Sequence, residues 1–242
     1  MSEQPDDGQG EVVDFFNRQQ ADSSYQEMKP LVALQDKAAA EVLNRGLKGK
    51  SLSIGGVWEF FAPGPEHKEL TALDLSEGML KLYAPQGVKP MLGDVFAVDF
   101  PEGTFDTVVF ALILHHVAQG DWARCEARVV EALARARRWL KPGGKVYIYE
   151  YCPHPLWMPL QRALLPLTKI FLKLAGGQPL VVMHPRVFYE RLLGKLFVDR
   201  RAVALAMGDE WAWFPVFMAV SWLKLPLKIY PKPFIFSATK PG

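Results

Sequence analysis

A chain of 242 residues, half of them apolar, can bury a sizeable core and suits one α/β domain with an added cap. Its formal net charge of +2 is too balanced for a nucleic-acid surface. Two cysteines, Cys125 and Cys152, make neither a disulfide framework nor a metal-ligand spacing, so a reduced compartment is expected.

Residues 1–11 are acidic and polar and lack the apolar core of a signal peptide, which predicts a disordered tail and a cytoplasmic protein. Val12 to Leu47 reads as two helices broken near Pro30, with Leu31, Leu34, Ala38, Val42 and Leu43 near helical spacing and Gly46 as the stop. They would form an N-terminal cap over 12–47. Tyr25, in the polar segment, either covers a ligand or is a partly buried surface aromatic.

Ser51-Leu52-Ser53-Ile54 is a short apolar run that stops at Gly55-Gly56, and Leu70-Thr71-Ala72-Leu73 is a second that ends at Asp74. Ser76 then caps a helix that begins with Glu77. Strand, turn, helix and second strand open a nucleotide-binding βαβ unit, where glycines admit close approach of backbone to ligand and the acid takes ribose hydroxyls. In Gly55-Gly56-Val57-Trp58-Glu59, however, only the first glycine of a Gly-x-Gly-x-Gly turn is kept. A pyrophosphate at the next helix N-terminus would be repelled by Glu59, which disfavours NAD, FAD and ATP. S-adenosylmethionine has no phosphate and carries a sulfonium and an ammonium, so it suits that sign.

Gly87 to Asp94 reads as a third strand, and Asp94 is either an acceptor for an adenine amino group or a plain turn aspartate. Phe105 to Leu112 is nearly all apolar, as where helices cover both sheet faces, and it leads to Leu114-His115-His116-Val117. Asp121 to Leu140 is a helix with Val129, Val130, Leu133 and Leu140 on its apolar face and arginines on a solvated one. Lys141-Pro142-Gly143-Gly144 turns the chain into a fifth strand, Lys145 to Glu150.

Pro155 to Ala175 reads as a helical insertion interrupted by Pro159 and Pro166, His184 to Phe197 as an amphipathic helix, and Arg201 to Met207 as the sixth strand. Trp211 to Tyr230 holds more aromatics than a simple hairpin needs. Prolines and lysines interrupt both apolar stretches before about 20 clean residues accumulate, so neither spans a bilayer comfortably. The insertions 153–183 and 209–231 read as a lid over an apolar substrate, a face lying on membrane, an oligomer interface or extra core. The lid leads, because both follow strands at the ligand-binding edge.

In order and spacing these pieces resemble the class I S-adenosylmethionine-dependent methyltransferases. The resemblance rests on Leu52 to Gly56, Leu73-Asp74-Leu75-Ser76 with Met79-Leu80, Leu92-Gly93-Asp94, Phe105-Asp106 with Leu114-His115-His116, Trp139 to Gly144, and Phe234 to Pro241. It implies an α/β fold over 12–242: a Rossmann-like, seven-stranded, mostly parallel sheet with an antiparallel last strand and a cofactor core over 48–152. It also implies S-adenosylmethionine as cofactor, with its methionine moiety near Gly55 and Gly56 and its ribose on Asp74. The adenine would lie between Leu75 and the Asp94-Val95 edge, and backbone around Ala111 and Leu112 would hold the amino group. Val57, Glu59 and Pro63-Gly64-Pro65 depart from the pattern and shorten the first helix.

The transferred methyl would lie beside His115 and His116, where a neutral imidazole can take a proton from an attacking hydroxyl or simply fix the loop. Glu150 faces the same edge, as base or structural carboxylate. Candidate substrate contacts are Tyr25, Trp157, His184, Trp213 and Phe217, and no histidine–acid set makes a metal site. The implied activity is methyl transfer to O, N or C of a hydrophobic small molecule, a secondary metabolite or lipid. A cyclase or isomerase on the same fold, or a non-enzymatic binding or membrane-associated module, is the alternative. The expected partner is that small molecule and not nucleic acid, with peripheral membrane contact and a homodimer left open.

Overall fold

The apolar runs pair into one seven-stranded sheet whose order is set by which strands can be covered on both faces. The computed structural model describes residues 13–17, 23–83, 87–117, 121–174, 180–209, 213–217 and 220–242. The sheet strands are β1 (Gly49–Ile54), β2 (His67–Asp74), β3 (Lys89–Leu92), β4 (Phe105–Ala111), β5 (Leu140–Cys152), β6 (Val198–Ala204) and β9 (Lys232–Thr239). They run in the order β3-β2-β1-β4-β5-β9-β6. β1 to β5 are parallel to their neighbours, and only β9 runs against β5 and β6. The expected sheet, with its antiparallel last strand, is the one observed.

Alternation along β5 divides the core in two. Val146, Ile148 and Cys152 face α4 (Trp122–Trp139) and α6 (Arg186–Leu196), where Val129, Leu133, Trp139, Tyr189 and Leu193 are buried with them. Tyr147 and Tyr149 face α2 (Ser23–Gly46) and its Ala39, Ala40 and Leu43. The Asp121 side chain caps α4 by accepting from the Arg124 N–H. At the other end of α4, the buried Lys240 ammonium donates to the Leu140 carbonyl at 2.7 Å.

The structure corrects several local expectations. Residues 55–66 contain no helix, so the β1–β2 crossover is an irregular loop in which Phe60 adopts φ +60°. Its two prolines flanking Gly64 leave too short a run to nucleate a helix. α2 and the buried Val57 and Trp58 pack on this face of the sheet. Trp58 Nε1 donates to Asn44 Oδ1, and Asn44 Nδ2 donates to the Phe60 carbonyl, both at 2.9 Å. Asn44→Ala removes both bonds and leaves the indole N–H unpaired, so urea unfolding should show a loss of about 1–3 kcal/mol.

Pro30 does not break the cap, because it lies within the single helix α2, and a short helix, α1, covers residues 13–17. Val130 is exposed and belongs to the solvent face of α4. Within the expected insertion the described residues form one helix, α5 (Trp157–Leu174), that runs through Pro166, and β6 lies a few residues before its expected start. The aromatic stretch does form a simple antiparallel hairpin, β7 (Trp213–Phe217) with β8 (Val220–Pro226). The expected tail over 1–11 lies outside the described residues.

Candidate active site

Parallel pairing puts the carboxyl ends of β2, β1, β4 and β5 along one edge, and most of the residues singled out in the sequence collect there. Gly55 and Gly56 follow β1 with φ +90° and +81°, a region where a side chain is strained. A Cβ on Gly55 would lie 2.6 Å from Ile113 Cβ, so glycine is what lets this turn meet the loop after β4. In that loop Leu112 takes φ +54°, unusual for leucine, and its N–H donates to the Tyr149 carbonyl at 2.9 Å. The Leu112 N–H is therefore already used, and the carbonyl oxygens of Ala111 and Leu112 are acceptors to which an ammonium can donate.

Asp74 ends β2. One of its oxygens accepts from Ser76 N–H at 2.7 Å, and no cation pairs with it among the described residues. Burial pushes its carboxyl up to about 6, and the Ser76 and Leu75 N–H groups oppose that rise. The Ser76 hydroxyl receives the Met79 N–H and so caps α3 (Glu77–Tyr83) as expected. One oxygen of Asp94 accepts from Phe96 N–H at 2.9 Å, while Val95 is buried in the core and Leu75 keeps partly open surface. Of these two, Leu75 is thus the apolar wall open to a ring.

Beyond β4, His115 and Glu150 form a pair. Glu150, fully buried, accepts the Leu114 N–H at 2.7 Å on one oxygen and meets His115 Nδ1 at 2.6 Å on the other. A carboxylate partner fixes the proton on Nδ1 and leaves Nε2 as acceptor. His116 differs: its ring sits 4.1 Å from His115 and edge-on to Phe16 at 4.9 Å, with Nδ1 buried and unpartnered. Burial, with His115 adding to it, holds His116 well below the ordinary histidine range. The two histidines therefore part into an oriented imidazole and a packed one.

α1 bridges this edge. Phe16 covers His116, while Asn17 Oδ1 accepts from the Ser76 hydroxyl at 2.7 Å, next to Asp74. Sequence reasoning missed a second cluster, in which the Tyr149 hydroxyl donates to Asp36 at 2.9 Å and the Gln35 amide bonds the Tyr151 hydroxyl. The spacing Tyr147-x-Tyr149-x-Tyr151, all on one face of a strand, was the available signal.

The candidate substrate contacts are scattered. His184 is buried, stacked on Phe188 at 4.2 Å, and burial lowers it to about 4 despite the pull of Glu126 and Glu150. It is packed in the core, with both ring nitrogens buried and without a hydrogen-bond partner among the described residues. Trp157 and Trp213 are open to solvent. The side chains of Tyr25 and Phe217 lie outside the described residues.

Glu59 needs a new reading. With no helix behind the glycine turn, it opposes nothing at a helix N-terminus, being an exposed turn residue. The same absence removes the dipole and free N–H groups that a pyrophosphate requires, so dinucleotides stay disfavoured for a different reason. A half-buried carboxylate with no cation beside it among the described residues does fit a ribose diol and a ligand that brings its own positive charge.

The family model described as "Methyltransferase domain" matches residues 53–148, the span from β1 to β5 that carries this edge. Over these residues the chain is similar to the class I S-adenosylmethionine-dependent methyltransferases. Among curated relatives of this methyltransferase domain, a ubiquinone/menaquinone biosynthesis C-methyltransferase, UbiE, from Ralstonia pickettii is 33% identical over 39% of this chain. The match spans 37% of the relative's length. Solved structures share the methyltransferase fold at low identity. The 1,6-didemethyltoxoflavin-N1-methyltransferase of Burkholderia thailandensis superposes with TM-score 0.59 at 16% identity, over 100% of this chain and 93% of that one. The geranyl diphosphate C-methyltransferase of Streptomyces coelicolor gives 0.57 at 13%, over 84% and 78%.

Proposed function

We propose that the protein transfers a methyl group from S-adenosylmethionine to a hydrophobic small molecule bearing a hydroxyl, with His115 as general base. The observation that carries this reading is the 2.6 Å contact between His115 Nδ1 and the buried Glu150 at the carboxyl edge of the sheet. Bound S-adenosylmethionine supplies an electrophilic methyl on a charged sulfur. Alignment of acceptor and methyl accounts for most of the acceleration in such a displacement, and a base matters where the acceptor must lose a proton. Nε2 of His115 takes that proton, and Glu150 holds the ring in the accepting tautomer and offsets the resulting charge. Asp74 receives the ribose hydroxyls, Gly55 and Gly56 border the methionine moiety, Leu75 flanks the adenine, and the carbonyls of Ala111 and Leu112 receive the ammonium.

The apolar character of the acceptor is supported by the open Trp157 and Trp213, and its being a small molecule by relatives whose names refer to ubiquinone/menaquinone biosynthesis, geranyl diphosphate and 1,6-didemethyltoxoflavin. Calorimetric titration with S-adenosylmethionine and with S-adenosylhomocysteine tests the reading. Binding heat is expected, with stabilisation of about 2.7 kcal/mol at a ligand concentration 100 times Kd. Absence of both heat and thermal shift at millimolar ligand would remove methyl transfer and leave a repurposed fold.

A further inference from the structure

Among the described residues, α5 carries an exposed apolar face. Leu165 and Leu172 are buried, and Leu165 packs with Cys125 and Val182. On the other side of the helix, Leu160, Leu164, Leu167, Ile170, Phe171 and Leu174 are 41–82% exposed. At 100° per residue these six fall within one outward arc of about 120°, and Arg162 and Lys169 fall together on a flank between that arc and the buried side. So large a contiguous apolar surface is more than scattered surface leucines on a monomer and marks an interaction face.

Charge decides the occupant. The 39 residues from Tyr151 to Tyr189 include no Asp or Glu and carry Arg162, Lys169, Lys173 and Arg186, the last of which pairs with Glu190 just beyond the segment. A second copy docked through the same face would bring basic flanks together with no acid on this segment to meet them. Among the described residues no helix is long and apolar enough to cross a membrane, so the face lies on a surface. We propose that α5 is an interfacial helix that docks the protein on an anionic phospholipid bilayer, its apolar arc in the acyl boundary and its cationic flank at the headgroups.

The geometry gives the docking a use at the site. Val182, against which Leu165 packs, donates its N–H to the His115 carbonyl at 3.0 Å, so the helix is joined to the histidine turn through one residue. An acceptor dissolved in the bilayer would be presented close to His115. Docking goes beyond methyl transfer and is measured without turnover, so either can fail alone.

Co-sedimentation of the full chain with phosphatidylcholine vesicles, with and without phosphatidylglycerol, is the test. Binding to the anionic vesicles is expected, weakened by salt, with Leu167→Glu/Ile170→Glu lowering the partition coefficient about tenfold or more. Both positions are solvent-exposed, so an unchanged thermal unfolding curve should accompany the loss. Failure of the unaltered protein to bind anionic vesicles, or equal binding by the variant, overturns the proposal. A dimer in solution that the double substitution dissociates overturns it too, in favour of a second copy on this face.

Discussion

His115→Asn is expected to lower kcat by about 10²- to 10⁴-fold, the usual cost of losing a general base, while the Kd for S-adenosylmethionine stays within a few-fold. Glu150→Gln should approach the same loss by another route. Its amide oxygen can still accept the Leu114 N–H, but its NH₂ would then face His115 Nδ1 and favour the tautomer whose proton sits on Nε2. The ring would remain in place and be unable to accept. Stopped-flow or steady-state kinetics on a hydroxylated acceptor, alongside calorimetry, separate rate from cofactor binding. A variant of His116 that is slow while His115→Asn is fast would reverse the assignment. The same kinetics with an amine acceptor should show a smaller loss, since an unprotonated amine attacks without prior help.

Asp74→Asn should raise the Kd for S-adenosylmethionine about 10²-fold or more, because two hydrogen bonds to a charged acceptor are weakened together. The affinity of the unaltered protein should also depend on pH with a defined sign. The free carboxyl titrates at about 6, and ribose donors require its ionised form. Below pH 6 binding must therefore expel a proton, and Kd rises by up to about tenfold per unit. The variant should be flat over this range. For folding, the shift is upward from 3.8, so this group's contribution is full below about pH 4 and is lost as pH rises through 6. Thermal unfolding without ligand should fall across that window from this group, and ligand should restore it. A pH-independent Kd between 5 and 7 would detach Asp74 from the ribose.

The sequence showed the strands and the acid better than it showed how they meet. β1, β2, β5 and β9 were legible because each is an apolar run ended by glycine, proline or an acid, β4 because it is nearly all apolar, and Asp74 and Ser76 because their local contacts follow from neighbouring positions. His115 and Glu150 were both visible at strand ends, yet their pairing across 35 positions follows only from β4 lying beside β5 in register. His184 looked available because burial is a tertiary property that no residue type announces. The missing crossover helix was half visible in Pro63-Gly64-Pro65, but its replacement by α2 and Trp58 requires a contact between segments on either side of β1. Pro30 misled because a proline early in a long helix costs less than the packing of the rest contributes.

The place of β9 in the sheet has a consequence for biosynthesis. β6 has a single neighbour, β9, which also covers the outer flank of the 13-residue β5. On the ribosome β5 and β6 emerge first, and neither can close until residues 205–231 and then β9 itself have been made. During that interval the nascent chain presents a long, tyrosine-rich open edge next to the unfinished site, the kind of surface that chaperones bind and that pairs wrongly between neighbouring chains. Slowing translation between residues 153 and 231 should therefore lower soluble yield more than slowing it upstream of β5, before that edge exists.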